Sequence, residues 1–204
     1  MRPFLTEQDL LAYGADLCNR FRSLPEKDPD ADILCGSAMF AHDKAFGGVK
    51  SAAHQLRRLQ RLAPKLVVEI GTARAVTTAA LARLCEAIVT IDVAQYPMRA
   101  EVIDWAGANN AILIVVPNND HKSRLVNFLD FQAAFVDGDH SDAGCEVDLR
   151  ITKKCGRVLF HDFCPPFDNG PLRVVATLPP ENVIEEPPFA WWFADVAECE
   201  RMRA

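Results

Sequence analysis

Apolar residues recur along this chain with two different periods. Residues 4–24 carry Phe4, Leu5, Leu10, Leu11, Leu17 and Phe21 near helical spacing, which predicts a helix. Leu24-Pro25-Glu26-Lys27-Asp28-Pro29-Asp30 reads as a polar linker punctuated by proline, and Gly47-Gly48 breaks the following segment. A second helix is expected from Val49 to Leu62, with Leu56, Leu59 and Leu62 on one face and Arg57, Arg58 and Arg61 toward solvent. After Pro64 the pattern becomes regular, with short β-branched runs alternating with helical segments.

The predicted strands are Leu66–Ile70, Ile88–Asp92, Ala111–Val116, Ala133–Asp137 and Arg157–His161. Between them lie helical stretches at Thr77–Glu86, Met98–Gly107, His121–Asp130 and Asp142–Lys154, the last closed by Gly156 as a helix C-cap. This alternation predicts an α/β domain, a parallel sheet with helices on both faces. The tail changes register. A short helix at Pro171–Leu178 precedes two apolar runs, Val183-Ile184 and Ala190-Trp191-Trp192-Phe193, joined by Glu185-Glu186-Pro187-Pro188. So short a link permits a hairpin and forbids a crossover, so these two strands are expected to be antiparallel. The organisation is then a helical segment over 1–64, acting as lid or interface, ahead of a single α/β domain over 65–204.

With 204 residues, half of them apolar, the chain can bury a sizeable core. A formal net charge of -6 speaks against bulk nucleic-acid binding. No apolar run approaches the length of a membrane span, and the first residues lack a signal-peptide core. Seven scattered cysteines without a CxxC pair argue for free thiols in a reducing compartment, hence the cytoplasm.

Candidate chemistry collects where the strands end. Val67-Val68-Glu69-Ile70-Gly71-Thr72 leads from a strand through a small-residue loop into a helix, an arrangement suited to a nucleotide-type ligand. Asp92 ends the next strand 21 residues beyond Gly71, placed to bridge the hydroxyls of a ribose. Phe135-Val136-Asp137-Gly138-Asp139-His140-Ser141 crowds ionisable groups at the end of the fourth strand, and Phe160-His161-Asp162-Phe163 does so at the fifth. On adjacent strands Asp137 and Asp162 would face each other across about 5 Å. Carboxylates that close need neutralising, and a hard divalent cation is the simplest agent. Asp139, just ahead of a helix, could equally cap it.

These pieces in this order, from about Lys65 to Val196, resemble the class I S-adenosylmethionine-dependent methyltransferases, the small branch related to catechol and macrocin O-methyltransferases. The resemblance implies a Rossmann-like three-layer sandwich around a seven-stranded, mostly parallel sheet of order 3-2-1-4-5-7-6 with strand seven antiparallel. It implies Glu69 and Gly71 at the methionine end of S-adenosyl-L-methionine, Asp92 on the ribose, and the Asn118-Asn119-Asp120 turn near adenine. Thr72, Ala73, Thr77, Asn119 and Asp137 complete the cofactor set. In the metal-dependent branch Asp137 and Asp162 would hold Mg²⁺. His140, Asp139 or His161 would take the proton of a small hydroxylated acceptor, with the N-terminal helices and loop 163–171 as cover and the helices as a possible homo-oligomer contact.

The chain departs from the family pattern at two places. Ala75 stands where the family has glycine, a mild change where φ stays negative. Phe163 stands where metal-dependent members place a further ligand. Other classes remain open at this level: a metal-dependent hydrolase built on Asp137, His140, His161 and Asp162, or a catalytically silent cofactor-binding protein. A nicotinamide dehydrogenase would want a GxGxxG that is absent.

Overall fold

The computed structural model describes residues 6–22, 48–96, 99–165 and 169–203. The 24–30 linker, Phe4, Leu5, Gly47, Met98 and the middle of the 163–171 loop lie outside the described residues. Among the described residues, two helices precede the sheet, α1 (Glu7–Arg22) and α2 (Gly48–Leu62). The α/β run follows as β1 (Leu66–Ile70), α3 (Val76–Leu81), β2 (Ala87–Asp92), α4 (Arg99–Trp105), β3 (Ala111–Val115), α5 (Asn119–Phe128), β4 (Ala133–Val136), α6 (Asp142–Thr152) and β5 (Arg157–Phe160). The tail adds α7 (Gly170–Ala176), β6 (Val183–Glu186), β7 (Phe189–Phe193) and α8 (Val196–Arg203). Among the described residues, no helix is long and apolar enough to cross a membrane.

The seven strands form one sheet of order β3-β2-β1-β4-β5-β7-β6, as expected. Strands β1 to β5 pair in parallel, and β7 runs antiparallel to both β5 and β6. Period-two alternation sends neighbouring residues to opposite faces. Val67, Ile88, Ala133, Phe135, Leu159 and Trp191 pack beneath α1, α2, α3 and α8. Val68, Ile70, Val89, Ile91, Val136 and Phe160 pack beneath α5, α6 and α7. Each strand of the central group is therefore buried on both sides, which is why its sequence reads as a continuous apolar run.

Local signals explain where elements start and stop. Thr6 and Asp9 bond reciprocally, Asp9 N–H to Thr6 Oγ1 at 3.0 Å and Thr6 N–H to Asp9 Oδ2 at 2.7 Å, and so open α1. α3 ends earlier than its composition suggests, tightening into a 3-10 turn at Ala82–Leu84. There Asn110 Nδ2 donates to the carbonyls of Ala82 and Cys85 and satisfies the helix end. Gly156 takes φ 75°, the left-handed C-cap its position predicts. α8 was not legible as an apolar pattern because only Cys199 of its eight residues is buried. Its one signal is Asp195, whose Oδ1 accepts from Ala197 N–H at 2.8 Å.

α2 departs from expectation in a way that matters. Arg57 is half-buried and Arg61 exposed, but Arg58 is 2% exposed rather than turned to solvent. Its guanidinium grips Glu186 of β6 through both ends, Nη1 to Oε2 at 2.7 Å and Nη2 to Oε1 at 2.6 Å, and Nε donates to the Met202 carbonyl. Gln55, also buried, donates to Glu186 Oε2 at 2.6 Å and accepts from Trp191 Nε1 at 2.7 Å. Burial alone would raise the Glu186 pKa; the Arg58 and Gln55 hydrogen bonds more than reverse this and hold it below the usual range. Every polar atom of this bidentate pair finds a partner, the condition under which a buried ion pair is tolerated.

Removing Arg58 would leave a carboxylate and a buried amide short of donors. Arg58→Ala is expected to cost about 2–3 kcal/mol in urea denaturation at neutral pH. A loss below about 0.5 kcal/mol, the range of exposed pairs, would show that the network does not tie α2 to the hairpin.

Candidate functional site

The loop from β1 to α3 is built by a close approach of backbone. Gly71 N–H donates to the Ile91 carbonyl at 2.9 Å, and Asp137 N–H to the Ile70 carbonyl at 2.8 Å, so the ends of β1, β2 and β4 are laced together. A Cβ on Gly71, whose φ is 93°, would lie 2.0 Å from the Asp137 carbonyl oxygen. The glycine is demanded by the backbone that leaves β4 at Asp137. Beyond it Ala73 and Ala75 both take left-handed backbone, φ 40° and 63°. The mild reading of Ala75 therefore fails, since an alanine there carries a left-handed penalty of about 1–2 kcal/mol. Buried Ala75 is held by the core and by its N–H bond to the Thr72 carbonyl at 2.7 Å.

Asp92 faces this loop from β2. Its Oδ2 accepts from Thr72 N–H at 3.1 Å, Ala73 N–H at 3.0 Å and Arg99 Nη2 at 2.9 Å. Its Oδ1 accepts from Ala94 N–H at 3.0 Å and retains acceptor capacity. Gly71, Ala73, Asp92, Asn119, Asp137, Asp139 and His140 line one cavity of about 450 Å³ together with Tyr96 and Lys122. It sits over the carboxyl ends of β1, β2 and β4, where open α/β sheets receive ligands. Thr72, Thr77, Glu69, His161 and Asp162 do not line it. Thr72 instead hydrogen-bonds Thr90 at 2.6 Å, hydroxyl to hydroxyl.

Glu69 lies wholly buried under α3, with Oε2 accepting from Thr78 Oγ1 at 2.5 Å. Its Oε1 has no hydrogen-bond partner among the described residues. Burial outweighs the Thr78 and Thr90 hydroxyls and pushes this carboxyl up to about 8.

At the other side of β1 the two acidic clusters meet as expected. His161 Nδ1 stands 3.1 Å from Asp137 Oδ1 and 3.4 Å from Asp162 Oδ1. His140 Nε2 stands 3.4 Å from Asp137 Oδ1 and 3.3 Å from Asp162 Oδ2. Burial disfavours charge on Asp137, yet the two imidazoles together bring it down to about 2. Burial likewise disfavours a charged His161, and Asp137 with Asp162 reverses this and raises it to about 9. His140 is raised by its hydrogen bond to Asp137. The carboxylates thus favour the protonated form of both imidazoles, and a proton on either ring offsets their mutual repulsion. Asp137, Asp162 and His161 also offer ligand atoms all within 4.8 Å of one another, a set that could hold a metal ion.

Backbone fixes this cluster. His161 N–H continues the ladder to the Val136 carbonyl at 3.0 Å, and its ring lies 5.0 Å from that of Phe189. Asp162 takes φ 54°, and Asn169 Nδ2 donates to its carbonyl at 2.8 Å. Phe163 is buried, so its side chain is part of the core. Asp139 Oδ1 accepts from Ser141 N–H at 2.9 Å, and Ser141, not Asp139, caps α6. That backbone bond lowers the Asp139 pKa. Cys145 is buried, which pushes its thiol up to about 12 and makes it unreactive.

Sequence reasoning missed two basic residues. Lys122 lines the cavity while its Nζ meets the buried Asp148 at 2.5 Å. Arg99 packs against the Asp92 loop with its side chain 6% exposed. Lys122 could have been suspected from its place one helical turn beyond Asn118, whose side chain caps α5.

No family model matches the chain, and no curated protein sequence matches it either. Solved structures do. The SAH-bound methyltransferase PaMTH1 of Podospora anserina is 19% identical, with 91% of this chain and 88% of that one covered and a TM-score of 0.58. The O-methyltransferase of Bacillus cereus in complex with SAH is 16% identical over 90% and 99% of the two chains, TM-score 0.53. TomG of Streptomyces achromogenes, an O-methyltransferase involved in tomaymycin synthesis and bound to SAM, is 17% identical over 94% and 92%, TM-score 0.54. At these identities the similarity establishes the fold alone, the Rossmann-like sandwich these three proteins share.

The buried Glu69 carries a pH signature. Its carboxyl titrates at 4.5 ordinarily and at about 8 in the folded chain, so between these values the folded state holds a proton that the unfolded state has released. Its contribution to stability therefore falls as pH rises from about 4.5 to about 8. Urea denaturation across that range should show Glu69→Gln gaining steadily on the parent protein. Parallel pH curves for the two would contradict the buried, protonated carboxyl.

Proposed function

We propose that the chain is an S-adenosylmethionine-dependent methyltransferase acting on a hydroxyl of a small acceptor. One observation carries this reading: a single cavity has Asp92 at the β2 side of β1 and Asp137 with His140 at the β4 side. A ligand lying across β1 can thus reach a ribose-type acceptor group at one end and an acid–imidazole cluster at the other. The fold shared with SAM- and SAH-bound methyltransferases, two of them O-methyltransferases, supports the assignment. The cofactor supplies a methyl group on a sulfonium, open to attack by an oxygen nucleophile.

The chain's own residues supply the rest. Asp92 receives a ribose hydroxyl on Oδ1, and Asn119 borders the adenine end. Neutral His140, its side chain 43% exposed and its Nε2 turned to the two carboxylates, takes the acceptor's proton on its other ring nitrogen, and the carboxylates stabilise the imidazolium that forms. Asp137 orients that ring. His161 is more buried and packs on Phe189, so its task is to hold Asp137 in place. Asp139 is a weaker candidate base because its carboxylate is engaged by Ser141. Asp137, Asp162 and His161 fit a divalent ion such as Mg²⁺, and their mixed oxygen and nitrogen donors suit Mn²⁺ as well. Bound there, such an ion would lower the pKa of a hydroxyl in contact with it. α1 covers the start of α3, where Tyr13 Oη donates to the Val76 carbonyl at 3.2 Å.

Calorimetric titration tests each part. The protein is expected to bind S-adenosylmethionine, and Asp92→Ala to weaken binding at least tenfold. Absence of binding to the parent protein would overturn the cofactor assignment. Titration with MgCl₂ or MnCl₂ reads the second site, where a signal unchanged by Asp137→Ala would remove the metal from the mechanism.

A further inference from the structure

The loop that forms one wall of the cavity holds an alanine in the left-handed region without burial to keep it there. Ala73 has φ 40° and is exposed, so packing does not impose its conformation. Backbone of this kind persists only where its surroundings over-determine it. For Ala73 those surroundings are two side chains. Asp92 Oδ2 accepts its N–H at 3.0 Å, and Arg99 Nε donates to its carbonyl at 2.6 Å.

Arg99 is itself anchored on three further sides. Its Nη2 donates to Asp92 Oδ2 at 2.9 Å and to the Ala94 carbonyl at 2.6 Å. Its guanidinium carbon lies 5.3 Å from the centre of the Tyr96 ring, a cation–π distance. One planar fork therefore ties the β1–α3 loop, the segment after β2 and the first residue of α4 together. Ala73, Asp92, Ala94 and Tyr96 all line the cavity, while Arg99 does not. Its action on a ligand passes through the residues it holds.

We infer that Arg99 is a positioning residue for cofactor binding, the clamp that sets Ala73 in its left-handed conformation and turns Asp92 so that Oδ2 serves the loop while Oδ1 is left for the ribose. The inference rests on the cofactor reading above. Its chemistry needs a fork: a lysine at 99 presents one nitrogen and cannot serve the Ala73 carbonyl through one atom and Asp92 through another. A glycine at 73 needs no clamp, since it adopts positive φ freely.

Two readouts test it. Hydrogen exchange on the cofactor-free protein follows the amides of Thr72 and Ala73, both donors to Asp92. Arg99→Ala and Arg99→Lys are expected to speed their exchange tenfold or more while the β1 amides stay protected. Calorimetry with S-adenosylmethionine should show both variants binding at least tenfold more weakly, with Ala73→Gly in the Arg99→Ala background recovering part of the loss. That rescue would not follow if Arg99 merely stabilised the domain. Parent-level binding by Arg99→Ala, or exchange unchanged at 72 and 73, would overturn the clamp. Failure of the parent protein to bind cofactor would overturn the cofactor reading, and faster exchange in the variants would still show Arg99 holding the loop. Should Arg99→Ala unfold, Arg99→Lys with and without Ala73→Gly carries the same comparison.

Discussion

The ends of β1 and β4 lie too close together for a side chain at position 71. A Cβ there would stand 2.0 Å from the Asp137 carbonyl oxygen, well inside any contact distance. Because Gly71 lacks one, the backbone after β1 can turn beside β4 while Asp137 still completes its bond to Ile70. Everything on the carboxyl edge of the sheet follows from that contact. The loop through Ala73 is thrown toward β2 and Asp92, and the Asp137 side chain is delivered to the two histidines. One missing methyl group thus sets the position of both ends of the cavity.

Electrostatics then divides that cavity into unlike halves. On the β2 side, Asp92 is neutralised by backbone N–H groups and a guanidinium, fixed donors that leave one oxygen with capacity to spare. On the β4 side, two carboxylates share two imidazoles, all at 3.1–3.4 Å, groups whose charge depends on protonation. The first arrangement suits holding a neutral polyol in a fixed orientation. The second suits exchanging a proton, because each imidazole already sits between two acceptors. Glu69, buried between these halves and carrying its own proton, adds no third charge near neutrality.

The sequence announced the fold more completely than the site. Buried parallel strands need β-branched runs on both faces, so β1 to β5 and the closing hairpin were visible as such runs, and Gly71 to Asp92 marked the first two strand ends. The pairing of the 137–140 and 161–162 clusters followed from β4 and β5 being neighbours. What escaped was conformation and long-range partnership. Nothing in the letter Ala73 signals positive φ, a state usually announced by glycine, and at Ala75 only the family's glycine hinted at it. Arg58 has the same neighbours in sequence as the half-buried Arg57, and only the fold brings Glu186 and Gln55 to it. Arg99 likewise reaches Ala73, in a loop 26 residues earlier, only through the fold. α8 was silent because one buried thiol makes no stripe.

The bond between α2 and the β6–β7 hairpin also sets an order of events. Arg58 and Glu186 are 128 residues apart in the chain, and Gln55 and Trp191 are 136 apart. At ribosomal rates of about 5–20 residues per second, α2 waits roughly 6–27 s after its own synthesis before its partners emerge. Throughout that interval its guanidinium and amide must remain hydrated, so α2 cannot settle into its final seat while the rest of the sheet is being made. The clasp between α2 and the hairpin is therefore one that forms late, after the five parallel strands have been made.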